Sequence, residues 1–197
     1  EPAPVDSSVN VIDEETGAYN RTYFTLRLRQ EVSRSRHNNY SFSLALVKVY
    51  HRGLMNDVAK PFPAAKALRL ILTSLEPNLR DEDILAYMGQ NTFALLLPHM
   101  PGDAAKDLLT FLQTQISLVS PKELGESQAT GIYCSVGIVV SRLHTAPGEL
   151  LAQAAQALEE ADAAVYGKVH LLTQTNTLTH HANGRSTINK HATEADR

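Results

Sequence analysis

Two short apolar runs, Ile84 to Met88 and Thr92 to Leu97, are separated only by Gly89-Gln90-Asn91. Gly and Asn tolerate the positive φ that a tight reversal demands, so the segment reads as a β-hairpin. A lone hairpin is marginal in water and needs further strands or a helix against its apolar face. The sequence supplies both. Phe42 to Tyr50 (FSLALVKVY) and Ile132 to Val140 are β-rich apolar runs of strand length. Amphipathic helical patterns cover Asn20 to about His37 and Ala64 to about Leu75, the second approached through Pro61 and Pro63. Pro101-Gly102-Asp103 opens a third helix to about Val119, with Asp103 a candidate cap, and Pro147-Gly148-Glu149 a fourth that ends near Tyr166. The order helix, strand, helix, hairpin, helix, strand, helix predicts an α/β sandwich around a mixed sheet, without the strict alternation of a doubly wound fold.

This pattern occupies residues 11–173; residues 1–10 are expected to be linker and 174–197 a flexible polar tail. The tail holds His180, His181 and His191; the adjacent pair, without a thiolate or carboxylate nearby, is an incomplete metal site, and a solvated tail is the expectation. The 197 residues carry 18 Lys plus Arg against 21 Asp plus Glu, a formal charge of −3. That balance argues against a general nucleic-acid binder or a membrane-surface binder, both of which use basic faces. One cysteine, Cys134, excludes an internal disulfide framework and is expected in the core. No apolar run approaches the roughly 18 residues of a membrane span and no signal peptide is evident, so the expected location is cytoplasmic, alone or as the cytoplasmic part of a larger protein.

Several motifs resemble the GGDEF family of bacterial diguanylate cyclases. Asp13 to Phe24 (DEETGAYNRTYF) is similar to the family's opening D-x-L-T-G-L-x-N-R-x-x-F. Ser43 to Asp57 resembles its first strand and the Asn-Asp that follows, and Tyr87 to Pro98 its signature hairpin. Ser135-Val136-Gly137-Ile138 and Ala161-Asp162-Ala163-Ala164-Val165-Tyr166 resemble the later strand and helix-end motifs. The resemblance implies a central antiparallel-rich sheet flanked by helices, related to nucleotidyl cyclases. It also implies condensation of two GTP into cyclic di-GMP across a dimer, with Mg²⁺ held by carboxylates.

At those carboxylate positions the chain departs from the family. The strand-end metal Asp is Lys48, and the signature pentapeptide is Gly89-Gln90-Asn91-Thr92-Phe93, in which Gln90 replaces a glycine and Asn91 and Thr92 replace the acids. An ammonium repels the cation a carboxylate would hold; the plain structural alternative is that Lys48 extends to solvent and pairs with Asp57. Asn56 matches the guanine-reading asparagine, but its aspartate partner is Ala65, and the phosphate-holding Lys and Arg align with Val169 and Thr173. The expectation is therefore a domain without cyclase activity, with no catalytic residue and no Mg²⁺.

The family's inhibitory site has the form R-x-x-D, and Arg80-Asp81-Glu82-Asp83 matches it with Arg80 nine residues before Gly89. The resemblance implies that Arg80 and Asp83 bind cyclic di-GMP as a regulatory ligand. A guanidinium can grip guanine O6 and N7 or a phosphate, and an aspartate can accept from the guanine N1–H and amine. A second cation from another surface is expected, with Lys106 and Arg69 as candidates. As an exposed turn residue, Arg80 should contribute little to stability. Three readings stand: a cyclic di-GMP receptor acting through a protein partner or a homodimer; a nucleotide-independent dimerisation or docking module; and GTP binding without turnover. An active enzyme would need substitute carboxylates such as Asp57, Asp81 or Asp83. His51 lacks a partner that would make it a base, and Tyr19, Tyr23 and Phe24 suit helix packing better than a stacking platform.

Overall fold

The computed structural model describes residues 10–53, 59–61, 65–119, 129–142, 144–164 and 167–172. In chain order the elements are α1 (Arg21–Asn38), β1 (Ser43–Gly53), β2 (Ala59–Pro61), α2 (Ala65–Leu75), β3 (Ile84–Gly89), β4 (Thr92–Leu97), α3 (Gly102–Leu118), β5 (Ala129–Val140), α4 (Pro147–Ala164) and β6 (Val169–Leu171). The sheet has six strands in the order β3-β4-β1-β5-β6, with β2 pairing β1 off this path. All pairs are antiparallel except β5 with β6, which is parallel. The mixed, antiparallel-rich sheet is thus as expected from the sequence. The two three-residue strands β2 and β6 were not, being too short to show a period.

β1 lies at the centre and explains its own unbroken apolar run. Ala45, Val47 and Val49 face one core with residues of α2 and α3, whereas Leu44 and Leu46 face a second core with Phe24, Leu28 and Val32 of α1 and Leu150, Ala154 and Leu158 of α4. A strand covered on both faces loses the alternation of a half-exposed one. Cys134 on β5 is fully buried in the first core, as expected.

The glycine of the β5 motif has a packing cause. A Cβ at Gly137 would lie 2.2 Å from Leu158 N and 2.6 Å from Ala154 O, so α4 rests its backbone directly on the strand.

The opening motif is a folded staple. Asp13 Oδ1 accepts from the Thr16 N–H (2.9 Å) and hydroxyl (2.7 Å), and Gly17 turns the chain at φ +87°. Tyr19 then donates its N–H to Leu85 O and accepts from Tyr87 N–H, covering the outer edge of β3. Asn20 caps α1, its side-chain oxygen accepting from Tyr23 N–H. Phe24 is fully buried, and the Tyr19 ring packs tilted at 30° against Tyr23 of α1 with centroids 4.4 Å apart, packing as expected. The expected cap at Asp103 does not form: Pro101 is the N-cap without a side-chain bond, and Asp103 sits in the first turn, where its charge favours the helix dipole instead.

Candidate functional site

Two places carry the residues singled out by sequence. At the hairpin end of the sheet, Lys48 stands between Thr92 on β4 and Ser135 on β5. The turn has positive φ at Gly89, Gln90 and Asn91, so the replaced second glycine still occupies a glycine-type conformation. Asn91 is buried, its N–H donating to the Tyr87 hydroxyl and its carbonyl accepting from Val49 N–H. Phe93 is fully buried in the core on the α2 and α3 side. Phe93 thus serves the core, and the main chain of Asn91 ties the turn to Tyr87 and β1.

Lys48 Nζ lies 3.8 Å from Asp162 Oδ2 on α4. The expected partner, Asp57, lies outside the described residues, as do Asn56 and Thr173. Tyr50, two positions beyond Lys48 and on the same face of β1, donates its hydroxyl to that same Asp162 oxygen. Asp162 Oδ1 and the fully buried Ser135 Oγ have no hydrogen-bond partner. Ala65 opens α2, and Val169 lies on β6, packed against the first core. Among the described residues no group of three or more His, Cys, Asp or Glu is arranged to hold a metal ion.

The second place is the turn before β3. Asp83 Oδ2 accepts from the backbone N–H of Arg80 (2.9 Å) and from its Nε (3.2 Å), while Oδ1 accepts from Nη2 at 2.7 Å. Nη2 also donates to Pro98 O at 2.9 Å, and Nη1 contacts Glu82 Oε1 at 2.7 Å. The Asp83 side chain is 1% exposed and that of Arg80 43%. The hydrogen bond to Asp83, with the nearby charges of Asp83 and Glu82, raises the Arg80 pKa against the opposing effect of burial. Arg80 and Asp83 line a cleft of about 330 Å³ with Ile12, Tyr19, Glu76 and Asp81.

This geometry revises two expectations. Asp83 has both oxygens engaged and is buried, so it anchors Arg80 and is not presented to a ligand. Arg69 is not free either: its Nη2 donates to the carbonyls of Glu14 and Glu15, pinning α2 to the opening staple. Lys106 is exposed on α3. Sequence reading missed Asp162, Tyr50 and Glu82 as partners. Only the first had a signal, as the acid of the helix-end motif.

An antiparallel-rich sheet covered by helices on both faces, with a hairpin tip beside the middle of its central strand, defines a nucleotidyl-cyclase-like domain. A family model described as diguanylate cyclase, GGDEF domain, matches residues 10–167, and the chain belongs to this family. It is 32% identical over 149 residues to the diguanylate cyclase DgcP of Pseudomonas aeruginosa, covering 76% of this chain but 22% of that protein. The GGDEF domain of DgcB from Caulobacter crescentus, in complex with c-di-GMP, superposes with a TM-score of 0.70 at 14% identity, over 83% of this chain and 96% of that one. The diguanylate cyclase SiaD of Pseudomonas aeruginosa, in complex with its activator SiaC, gives 0.69 at 23% identity over 83% and 62%. No helix among the described residues is long and apolar enough to cross a membrane.

Proposed function

We propose that this chain is a catalytically inactive GGDEF domain that binds cyclic di-GMP through Arg80 and passes the signal on by protein interaction in the cytoplasm. The observation that carries the reading is the Arg80 guanidinium, fixed from behind by buried Asp83 and Pro98 O while its Nη1 faces outward. Of the five guanidinium donors, Nε and both on Nη2 are taken and one on Nη1 faces Glu82 Oε1; the second Nη1 donor, or both once Glu82 moves aside, can meet guanine O6, N7 or a phosphate. Asp83 is the positioning residue that keeps the fork in place.

The residues at the hairpin end do not fit the Mg²⁺ of the family's reaction. A hard cation wants several oxygen ligands, carboxylates among them. Here Lys48, which the structure places in the middle of β1 and not at its end, offers an ammonium, and the carboxylate paired with it among the described residues, Asp162, already accepts from Tyr50.

Two assays test the reading. Purified protein with GTP and Mg²⁺ should release no pyrophosphate, and cyclic di-GMP should bind in the micromolar range unless Arg80 is replaced by Lys, which keeps the charge but loses the fork. Pyrophosphate release lost in Lys48→Ala would overturn the inactive reading. A second reading, a docking module, is favoured by Phe111 and Leu118, one heptad apart on α3 and 47% and 71% exposed. It predicts no nucleotide binding and an assembly broken by Leu118→Glu.

A further inference from the structure

The carboxylate nearest to the outward face of Arg80 is not the buried one. Glu82 Oε1 lies 2.7 Å from Nη1, the donor nitrogen that Asp83 and Pro98 leave open. The two carboxylates differ in kind. Asp83 is 1% exposed and held by three donors of Arg80, whereas Glu82 is 49% exposed, with Arg80 its partner. One is part of the fold, and the other is a side chain on a short tether that water can reach from most directions.

We propose that Glu82 is an intramolecular competitor for the ligand at Arg80, setting the concentration at which the site fills. The proposal rests on the receptor reading above and adds its regulation. A phosphate or guanine that is to engage both N–H groups of Nη1 must first displace Oε1. The displaced carboxylate then stays close to an anionic ligand and repels it. The pair is solvent-exposed and weak, so displacement is feasible and the site is attenuated, not closed. Glu82 thereby raises the ligand concentration at which Arg80 is occupied without changing which ligand it reads. Glu76 and Asp81 line the cleft beside Arg80 and add repulsion, whereas Glu82 is the exposed acid ion-paired with it. The effect therefore belongs to Glu82 in particular, and an isosteric neutral side chain should remove it.

The test is calorimetric titration of cyclic di-GMP into the wild-type chain and into Glu82→Gln, Asp81→Asn and Arg80→Lys, after circular dichroism and melting show all four folded alike. Glu82→Gln should bind roughly two- to fivefold tighter, with Asp81→Asn gaining less and Arg80→Lys binding poorly or not at all. Binding by Glu82→Gln where the wild type shows none would support the proposal in its strongest form. Equal affinities for wild type and Glu82→Gln, both lost in Arg80→Lys, would overturn the competitor role while leaving the receptor reading intact. Silence in wild type and Glu82→Gln alike would overturn both.

Discussion

Replacing Arg80 by alanine should destabilise the fold as well as remove a ligand contact, and the size follows from what Asp83 loses. The substitution deletes the Nε and Nη2 donors, leaving Oδ1 of a carboxylate that is 1% exposed without a partner, while Oδ2 keeps the backbone N–H of residue 80. Pro98 O, at the end of β4, loses its donor too. Breaking a fully buried pair costs about 3–5 kcal/mol. Here Arg80 is 43% exposed and its removal admits water, so we expect about 2 kcal/mol. For a domain of this size that lowers Tm by about 4–8 °C. Thermal and urea denaturation followed by circular dichroism at neutral pH would measure it, with Arg80→Met separating lost packing from lost charge. A change in Tm below about 1 °C would refute the argument that Asp83 is a buried anchor. The same loss makes Arg80→Ala a poor binding control, and Arg80→Lys the better one.

Further outcomes follow from the packing. Gly137→Ala should abolish soluble expression or cost more than about 4 kcal/mol, because the added Cβ meets backbone atoms of α4 at 2.2 and 2.6 Å and no rotamer relieves it. Gln90→Gly should stabilise the hairpin by about 0.5–1 kcal/mol in urea titration, since Gln90 sits at φ +50°. Burial pushes the Cys134 thiol up from 9.0 to about 12. Folded protein should therefore resist alkylation at pH 8 and react only once unfolded. Because the folded value is the raised one, that contribution to stability is complete below about pH 9 and lost as pH climbs toward 12, a decline that Cys134→Ala should reduce in urea melts across that window.

Much of this fold was legible because its long elements carry clear periods and punctuation. The turn Gly89-Gln90-Asn91 fixed the hairpin, and Pro101-Gly102-Asp103 and Pro147-Gly148-Glu149 marked the starts of α3 and α4. The site was legible only in identity. R-x-x-D names Arg80 and Asp83 but does not say that Asp83 is buried beneath the arginine, since burial depends on how the turn packs against β4. Lys48 was visible as a departure, yet its partner Asp162 lies on α4, a contact that only the tertiary arrangement creates. Glu82 was one acid among three neighbours until Nη1 was seen to face it. The short strands β2 and β6 owe their existence to pairing with β1 and β5 and have no local signal.

The most direct measurement is calorimetric titration of cyclic di-GMP into the wild-type chain and Arg80→Lys, with GTP and Mg²⁺ as the comparison ligand. The account predicts saturable binding of cyclic di-GMP that Arg80→Lys removes, and no turnover of GTP. Wild-type protein that takes up no cyclic di-GMP while folded, or a variant that binds it equally well, would contradict it.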